Sequence, residues 1–143
     1  MTQLSEHFAL DEFTASQTAA RLGIDNTPDA EALENLRNTA AGMEQVRAFL
    51  GGVPVKISSG FRCLALNAAV GSRTTSQHVT GCACDFTAPA YGTPEQIVRD
   101  LLTSGVPYDQ LIYEFATWVH ISFSPQNRRQ ALTIDHDGTR AFA

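Results

Sequence analysis

Residues 71–87, Gly71-Ser-Arg-Thr-Thr-Ser-Gln-His-Val-Thr-Gly-Cys-Ala-Cys-Asp-Phe-Thr87, combine the composition of a loop with that of a buried strand. Glycines bound the polar first part, which predicts a loop. The segment Cys82–Thr87 has the length of a strand, in which alternate side chains point to opposite faces. One face therefore carries Cys82, Cys84 and Phe86, and the other carries Ala83 and Asp85.

Helical and strand-like segments surround this strand. Apolar residues recur at helical spacing from Asp29 to Leu50, and the Gly51-Gly52 pair ends that helix. Thr27 or Asp29 is expected to cap it, with Pro28 at its first position. Further expected elements are a short helical piece after Ser5, a strand from Val53, a helix over Phe61–Val70, a helix capped by Thr93, and two closing strands, Gln110–Phe115 and Trp118–Phe123. We therefore predict one α+β domain over 1–143, with a small, mostly antiparallel sheet flanked by helices and a polar surface tail over 125–143.

The composition is that of an ordinary globular domain. The chain has 143 residues, of which 43% are hydrophobic and 17% charged, and this excludes disordered and fibrous classes. A net charge of −5 argues against a nucleic-acid partner. No apolar run approaches the roughly 20 residues that span a bilayer. The amino-terminal residues do not resemble a signal peptide, and three cysteines form a poor disulfide framework, so we expect synthesis in the cytoplasm.

Two of the four histidines stand in settings that favour a functional role. His78 lies in the glycine-bounded loop, and His120 lies in an apolar strand. The face of that strand that we assign to the core carries Val119, Ile121 and Phe123. His120 therefore points the opposite way. Asp85 points inward from its own strand, and a buried carboxylate needs a partner, which is either a metal ion or an arginine such as Arg62 or Arg73.

Two histidines and an aspartate, with one position left open, form the ligand set of a catalytic zinc site. Zinc in such a site lowers the pKa of its bound water to about 7 and polarises a carbonyl group. A competing possibility is a structural metal on Cys82, Cys84 and His78, although such sites normally have four ligands and two residues between the cysteines. Alternatively, both cysteines are small packing residues of the core.

Three blocks of the sequence occur in order, namely Ser58-Ser-Gly-Phe-Arg-Cys, Ser76-Gln-His-Val-Thr-Gly-Cys-Ala-Cys-Asp and Trp118-Val-His. They fit the patterns S-G-[YF]-R, S-x-H-x-x-G-x-A-x-D and W-x-H, and the sequence thereby resembles the M15 family of zinc peptidases. This family includes D-Ala-D-Ala carboxypeptidases and peptidoglycan endopeptidases. Residues 7–16 are also similar to the start of a short phage-type branch, so the likeness spans residues 7–128. It implies a Hedgehog/DD-peptidase-like fold.

The resemblance also implies a role for each matching residue. His78, Asp85 and His120 match the zinc ligands. Arg62 matches the arginine that steadies the substrate carbonyl or the oxyanion formed from it. Ser76 and Gln77 match the loop beside the metal, where a hydroxyl or an amide binds the peptide backbone, although capping of the loop would explain them equally well.

The general base departs from the family pattern. Many members carry a glutamate three residues before the last histidine ligand, and Thr117 occupies that position here. Glu114 is the nearest carboxylate. A three-residue turn over 115–117 would place Glu114 opposite Trp118, on the same face as His120, whereas a two-residue turn would place it among core residues. Asp109 is the alternative base.

Together these features predict a zinc-dependent peptidase that hydrolyses a peptide bond in the peptidoglycan stem peptide, as a DD-carboxypeptidase or an endopeptidase. We expect a monomeric phage or prophage lysis enzyme with no nucleic-acid or membrane partner. It would be made without a signal peptide and would act on the cell wall after release or as part of a virion. The alternatives are a catalytically inactive metal-binding relative, serving as a phage tail or wall-binding module, and an amidase that acts elsewhere on peptidoglycan.

Overall fold

Five helices and six strands make up the fold within residues 2–143, the part of the chain that this computed structural model describes. The helices are α1 (Leu10–Thr14), α2 (Gln17–Leu22), α3 (Ala30–Phe49), α4 (Leu64–Ala69) and α5 (Pro94–Leu101). The strands are β1 (Lys56–Ser59), β2 (Ala83–Thr87), β3 (Gln110–Glu114), β4 (Trp118–Ser122), β5 (Gln130–Asp135) and β6 (Gly138–Ala141). None of these helices is both long and apolar enough to cross a membrane.

All six strands belong to one mixed sheet in the order β1-β2-β4-β3-β5-β6. Every neighbouring pair is antiparallel except β3 and β5, which are parallel. The predicted α+β class and mostly antiparallel sheet are confirmed. Because β2 and β4 lie side by side inside the sheet, both edges of each strand are hydrogen-bonded, and nearly all of their side chains are buried.

The long helix α3 packs against the sheet and forms the largest part of the helical layer. One core cluster joins buried residues of α3, β2, β4 and α5, among them Leu36, Met43, Val46, Phe86, Ile121 and Leu101. At Gly42 a Cβ atom would lie 2.5 Å from the ring of Phe123, so only glycine allows this approach of α3 to the end of β4. The hydroxyl of Thr39 donates to the carbonyl of Gly81 at 2.7 Å and ties α3 to the loop that precedes β2.

The predicted helix starts are largely confirmed. The carboxylate of Asp29 accepts from the amide of Ala32 and caps α3, while the hydroxyl of Thr93 caps α5, with Pro94 at the first helical position. Pro28 precedes the Asp29 cap and does not occupy the first position of α3, so that part of the prediction was wrong. Its rigid backbone instead leads into the cap.

The segment after residue 125, which we predict as a polar surface tail, forms two further strands of the sheet, so the two strands before it do not close the sheet as expected. β5 pairs in parallel with β3, from Gln110 opposite Gln130 to Glu114 opposite Ile134, and β6 folds back antiparallel on β5. The segment does lie at the surface, where its residues are exposed or half-buried. β5 pairs with the free edge of β3 and β6 pairs with β5, and both strands are short and half-polar, so the sequence pattern was too weak to predict them.

Candidate metal centre

The register between β2 and β4 brings Asp85 and His120 together. Asp85 pairs directly with His120 in the antiparallel ladder. Directly paired side chains lie on the same face of a sheet and within contact distance. The Nδ1 atom of His120 lies 3.0 Å from Oδ1 of Asp85, and both side chains are buried. The side-chain directions that strand alternation predicts for Asp85 and His120 are therefore correct.

His78 reaches the same carboxylate from the loop before β2. Its Nε2 atom lies 3.3 Å from Oδ1 of Asp85, and its Nδ1 atom lies 2.7 Å from the carbonyl oxygen of Gly60. The backbone fixes this loop, because the amide of Arg62 donates to the carbonyl of His78 at 3.0 Å. Gly60 is required where it stands, since a Cβ atom there would lie 2.6 Å from the backbone oxygen of Phe13.

The hydrogen bond to Gly60 fixes the tautomer of His78. A carbonyl oxygen only accepts, so Nδ1 carries the proton and a neutral His78 turns the lone pair of Nε2 toward Asp85. Two lone pairs 3.3 Å apart repel each other unless a proton or a metal ion lies between them. A histidine whose second nitrogen is fixed by a carbonyl is also the usual arrangement of a metal ligand.

The three candidate ligand atoms lie close enough to share one metal ion. One atom each from His78, Asp85 and His120 lies within 4.8 Å of the others, and all three residues are buried. Burial opposes ionisation of Asp85, but hydrogen bonds and positive charge from the two histidines, when these are protonated and no metal ion is bound, hold its pKa below the usual range. Two imidazole nitrogens and one carboxylate oxygen fit the donor set of a catalytic zinc site with an open position.

The competing interpretations of these residues find less support. Among residues 2–143 no three-donor cluster includes a cysteine. Cys84 lies in the core cluster, as the packing interpretation expects, whereas Cys82 is half-buried outside it. In the same part of the chain no arginine forms an ion pair with Asp85, and the basic side chains within pairing distance of its carboxylate are the two histidines.

Glu114 lies beside the cluster because the β3–β4 hairpin has a three-residue turn. Glu114 pairs with Trp118, and the turn residues Phe115 and Ala116 adopt left-handed backbone angles, with φ of 51° and 54°. An oxygen of Glu114 lies 3.8 Å from Nδ1 of His120, and the other accepts a hydrogen bond from the indole of Trp118 at 3.1 Å. Burial and the nearby charge of Asp85 raise the pKa of Glu114.

Arg62 lies close enough to the cluster to feel the charges of Asp85 and Glu114. Its guanidinium is half-buried, and within residues 2–143 its Nε atom is buried without a hydrogen-bond partner. Burial lowers the pKa of Arg62, while the charges of Asp85 and Glu114 oppose that shift. An unsatisfied buried donor next to two carboxylates is available to a polar ligand.

The comparison with known families agrees with this geometry. A model described as Peptidase M15 matches residues 6–122. This chain belongs to the Peptidase M15 family. The match covers every candidate ligand together with Arg62 and Glu114, and it ends before β5 and β6. A search of curated proteins gave no match. Family membership together with the buried His-Asp-His cluster indicates a metallopeptidase.

Ser76 and Gln77, which the M15 pattern places beside the metal, are both engaged within the protein. The hydroxyl of Ser76 accepts from the amide of His78 at 3.2 Å, which is loop capping. The side-chain amide of Gln77 donates to Asp109 at 2.9 Å, while its Oε1 atom is buried with no partner among the described residues. Both residues line a groove next to His120, so a role in binding the substrate of this M15 peptidase stays a prediction.

Asp109, the alternative base, is engaged by residues other than the candidate ligands. Its side chain is fully buried, and Arg128 and Gln77 occupy its oxygens. Hydrogen bonds from Arg128 hold its pKa well below the usual range. Of the two candidate bases, Glu114 is therefore the one that lies beside His120.

Sequence reasoning missed three contributors to this M15 site. The carbonyl of Gly60 orients His78, the indole of Trp118 holds Glu114, and Asp109 anchors Gln77. The glycine of the S-G-F-R block and the tryptophan of the W-x-H block were visible as motif positions. The Asp109 contacts had no local signal, since Gln77 and Arg128 are 32 and 19 residues away from it.

Proposed function

We propose that this M15 metallopeptidase is a zinc peptidase that hydrolyses a peptide bond in the peptidoglycan stem peptide, as a DD-carboxypeptidase or an endopeptidase. The observation that carries the proposal is the buried His78-Asp85-His120 cluster with Glu114 next to it. The donor set favours zinc among the common metals. The stem-peptide substrate rests on the resemblance of the three sequence blocks to enzymes of that specificity.

Nε2 of His78, Oδ1 of Asp85 and Nδ1 of His120 would hold the zinc ion. When bound, zinc supplies Lewis acidity toward a water molecule and a peptide carbonyl. Gly60 orients His78, and the ladder between β2 and β4 orients the other two ligands. These supports keep the donor atoms in place with or without substrate.

Glu114 is the proposed general base. Its carboxylate takes a proton from the attacking water and delivers it to the leaving amine, and its raised pKa suits both steps. The indole of Trp118 holds one carboxylate oxygen, which leaves the other free to face the reaction. Arg62, with its unpartnered donor, stabilises the negative oxygen that develops when water adds to the carbonyl.

The proposal also covers the wider setting of the enzyme. The fold is assigned to the Hedgehog/DD-peptidase-like group, as a single catalytic domain that works as a monomer. A role in phage or prophage lysis, with action on the cell wall, follows from the likeness to the short phage-type branch. The inactive-relative alternative depended on Thr117 standing where many members have glutamate, and the position of Glu114 beside His120 supports the active enzyme instead.

Mass spectrometry of purified muropeptides incubated with the protein tests this function. A peptidase releases fragments with a new amine and a new carboxylate within the stem peptide, and the masses identify the bond. Release of the intact stem peptide from the sugar would instead identify an amidase. Unchanged muropeptides with zinc-loaded protein would favour the inactive relative.

A further inference from the structure

A groove of about 500 Å3 lies beside the candidate metal centre, with His120 in its wall. One side is formed by the loop that carries Ser76 and Gln77, and the other side is formed by β5, β6 and the loop before β5. Apolar side chains of Ile112, Leu132 and Ile134 form part of its lining. The side that β5 and β6 build lies outside the Peptidase M15 match, which ends at residue 122.

The groove is cationic although the chain is acidic. The net charge of the chain is −5, yet no aspartate or glutamate is among the described residues that line the groove, whereas Arg73 and Arg128 both are. Within residues 2–143, Arg73 forms no ion pair. A concave surface lined by one sign of charge attracts a ligand of the opposite sign.

Arg128 is held in place by Asp109, which lies fully buried behind it. The carboxylate of Asp109 accepts three hydrogen bonds from Arg128: from the backbone amide at 3.0 Å, from Nε at 2.9 Å and from Nη2 at 2.7 Å. Asn127 and Arg129, on either side, adopt left-handed backbone angles with φ of 43° and 53°. Such backbone angles are unfavourable for residues other than glycine and are found where a side chain must be presented in a fixed position.

The guanidinium of Arg128 retains donors for a ligand. Asp109 uses Nε and Nη2, while no described residue bonds to Nη1, and the side chain is 46% exposed. Asp109 offsets the charge of Arg128, so Arg128 supplies directed donors and Arg73 supplies the excess positive charge. A pre-oriented guanidinium recognises a planar carboxylate better than an ammonium does.

We propose that Arg73 and Arg128 bind a carboxylate of the substrate peptide close to the scissile bond, and that Asp109 is the positioning residue for Arg128. The substrate class is then a peptide with a free carboxylate, either at its carboxyl terminus or within the chain. This inference rests on the proposed peptidase function, which supplies the substrate. Arg73 lies within the region that the family model matches, whereas Arg128 lies beyond it.

Three forms of a synthetic stem peptide ending in D-Ala-D-Ala separate the two carboxylate sources. One form is unmodified, one has its terminal carboxylate amidated, and one has the free α-carboxylate of D-Glu amidated. We expect one amidation to lower kcat/KM by about 10- to 100-fold, the range of a charge-assisted hydrogen bond, and the affected form identifies the carboxylate. In Arg73→Gln the ratio of kcat/KM between the unmodified peptide and the affected amidated peptide falls toward one. Arg128→Lys, which keeps a charge next to Asp109, reduces it as well.

Arg21→Gln is the matched control, because Arg21 is an exposed arginine of α2 that does not line the groove. It removes the same charge and leaves the preference as in the unaltered chain. Equal kcat/KM for all three peptides, or a loss in Arg73→Gln that is the same for all three, overturns the proposal.

Calorimetric titration of the three peptides into Glu114→Gln keeps the two proposals distinct. Binding that weakens on amidation, without cleavage by the unaltered chain, supports carboxylate recognition and refutes the peptidase. Cleavage without any preference supports the peptidase and refutes carboxylate recognition. Absence of both binding and cleavage refutes both.

Discussion

Each residue of the metal centre is held in position by a neighbour that takes no part in the reaction. The carbonyl of Gly60 accepts a hydrogen bond from Nδ1 of His78, and the indole of Trp118 donates one to Glu114. The pairing of β2 with β4 holds Asp85 next to His120. A catalytic group held this way needs no rearrangement when substrate arrives. Substitutions that change a single functional group and keep the shape of the side chain therefore test these roles most directly.

Glu114→Gln exchanges an oxygen for an NH2 group and removes the proposed base while keeping its shape. We expect the zinc content to stay the same and kcat to fall by about 10²- to 10⁴-fold, the usual contribution of general acid–base catalysis. Steady-state kinetics on muropeptides with metal analysis of the same samples measures both. Glu95→Gln, on the exposed face of α5, is the control and should match the unaltered chain. Unchanged turnover in Glu114→Gln would assign the base to another residue.

Asp109→Asn removes the charge that holds Arg128. Hydrogen bonds from Arg128 depress the pKa of Asp109 in the folded chain, so the ionised form stabilises the fold above the unfolded pKa of about 4. We expect a loss of about 2 kcal/mol at pH 7, less than for a fully buried pair because Arg128 is half-exposed. The difference from the unaltered chain should shrink as the pH falls from about 4 to 3.

Urea unfolding of both proteins at several pH values measures this difference. Asp135→Asn, which breaks the exposed pair with Arg140, is the control and should give a smaller loss at pH 7. A difference in unfolding free energy that stays constant between pH 7 and pH 3 would mean that the charge of Asp109 does not contribute.

At the scale of elements, the β3–β4 hairpin determines where Glu114 lies. Its three-residue turn keeps Glu114 on the face of His120, and it does so with left-handed backbone at Phe115 and Ala116. Left-handed backbone costs about 1–2 kcal/mol at a residue with a Cβ atom. The position of the base is therefore obtained at some expense of stability.

Ala116→Gly removes that strain. Glycine loses more conformational entropy on folding than alanine, so we expect a net stabilisation of about 0.5–1 kcal/mol and a rise in Tm of roughly 2–4 °C. Thermal unfolding followed by circular dichroism measures it. Ala90→Gly, an exposed turn position without positive φ, should lower Tm instead. A fall in Tm for Ala116→Gly would show that the turn is not strained at this residue.

Local sequence signals predicted the elements that carry their own pattern. The helical spacing before Gly51 and the caps Asp29 and Thr93 located α3 and α5. Strand alternation separated Asp85 and His120 from the core side chains of their strands, and the two residues lie on one face of the sheet. Long-range pairing was not predictable in the same way. The β5 strand forms through backbone bonds to β3, and the short alternation of Leu132 and Ile134 with polar residues was too weak a signal to predict it.

The site shows the same division. Asp85 and His120 stood out because they are polar residues within buried or apolar strands, and His78 stood out because it lies in the polar, glycine-bounded loop before one of these strands. The contacts of Asp109 join residues from three separate segments, so they depend on the complete fold. The turn length that decided between the two positions of Glu114 depends on backbone angles that alanine and phenylalanine rarely adopt.

At the scale of the whole molecule, the metal centre joins the segment of His78 and Asp85 to His120, which follows Asp85 by 35 residues. His78 comes from the loop before β2, Asp85 from β2 and His120 from β4. Only the folded chain brings these three ligands together, so a metal ion binds the folded state and stabilises it by mass action. Stability should therefore depend on the metal concentration.

Free zinc at about 100 times its dissociation constant should add about 2.7 kcal/mol and raise Tm by roughly 5–10 °C. Thermal unfolding of the chelated protein with and without added zinc measures the shift. His120→Ala should lose most of it, whereas His136→Ala, at the exposed β5–β6 turn, should keep it. An equal rise in all three proteins would place zinc elsewhere on the chain.

The most direct measurement is cleavage of muropeptides by chelated protein to which zinc is returned in known amounts. We expect no cleavage after chelation, and recovery that increases with zinc until one ion per chain is present. His120→Ala should not recover. Full cleavage by the metal-free chain, or none by the zinc-loaded chain, is incompatible with a zinc peptidase centred on His78, Asp85 and His120.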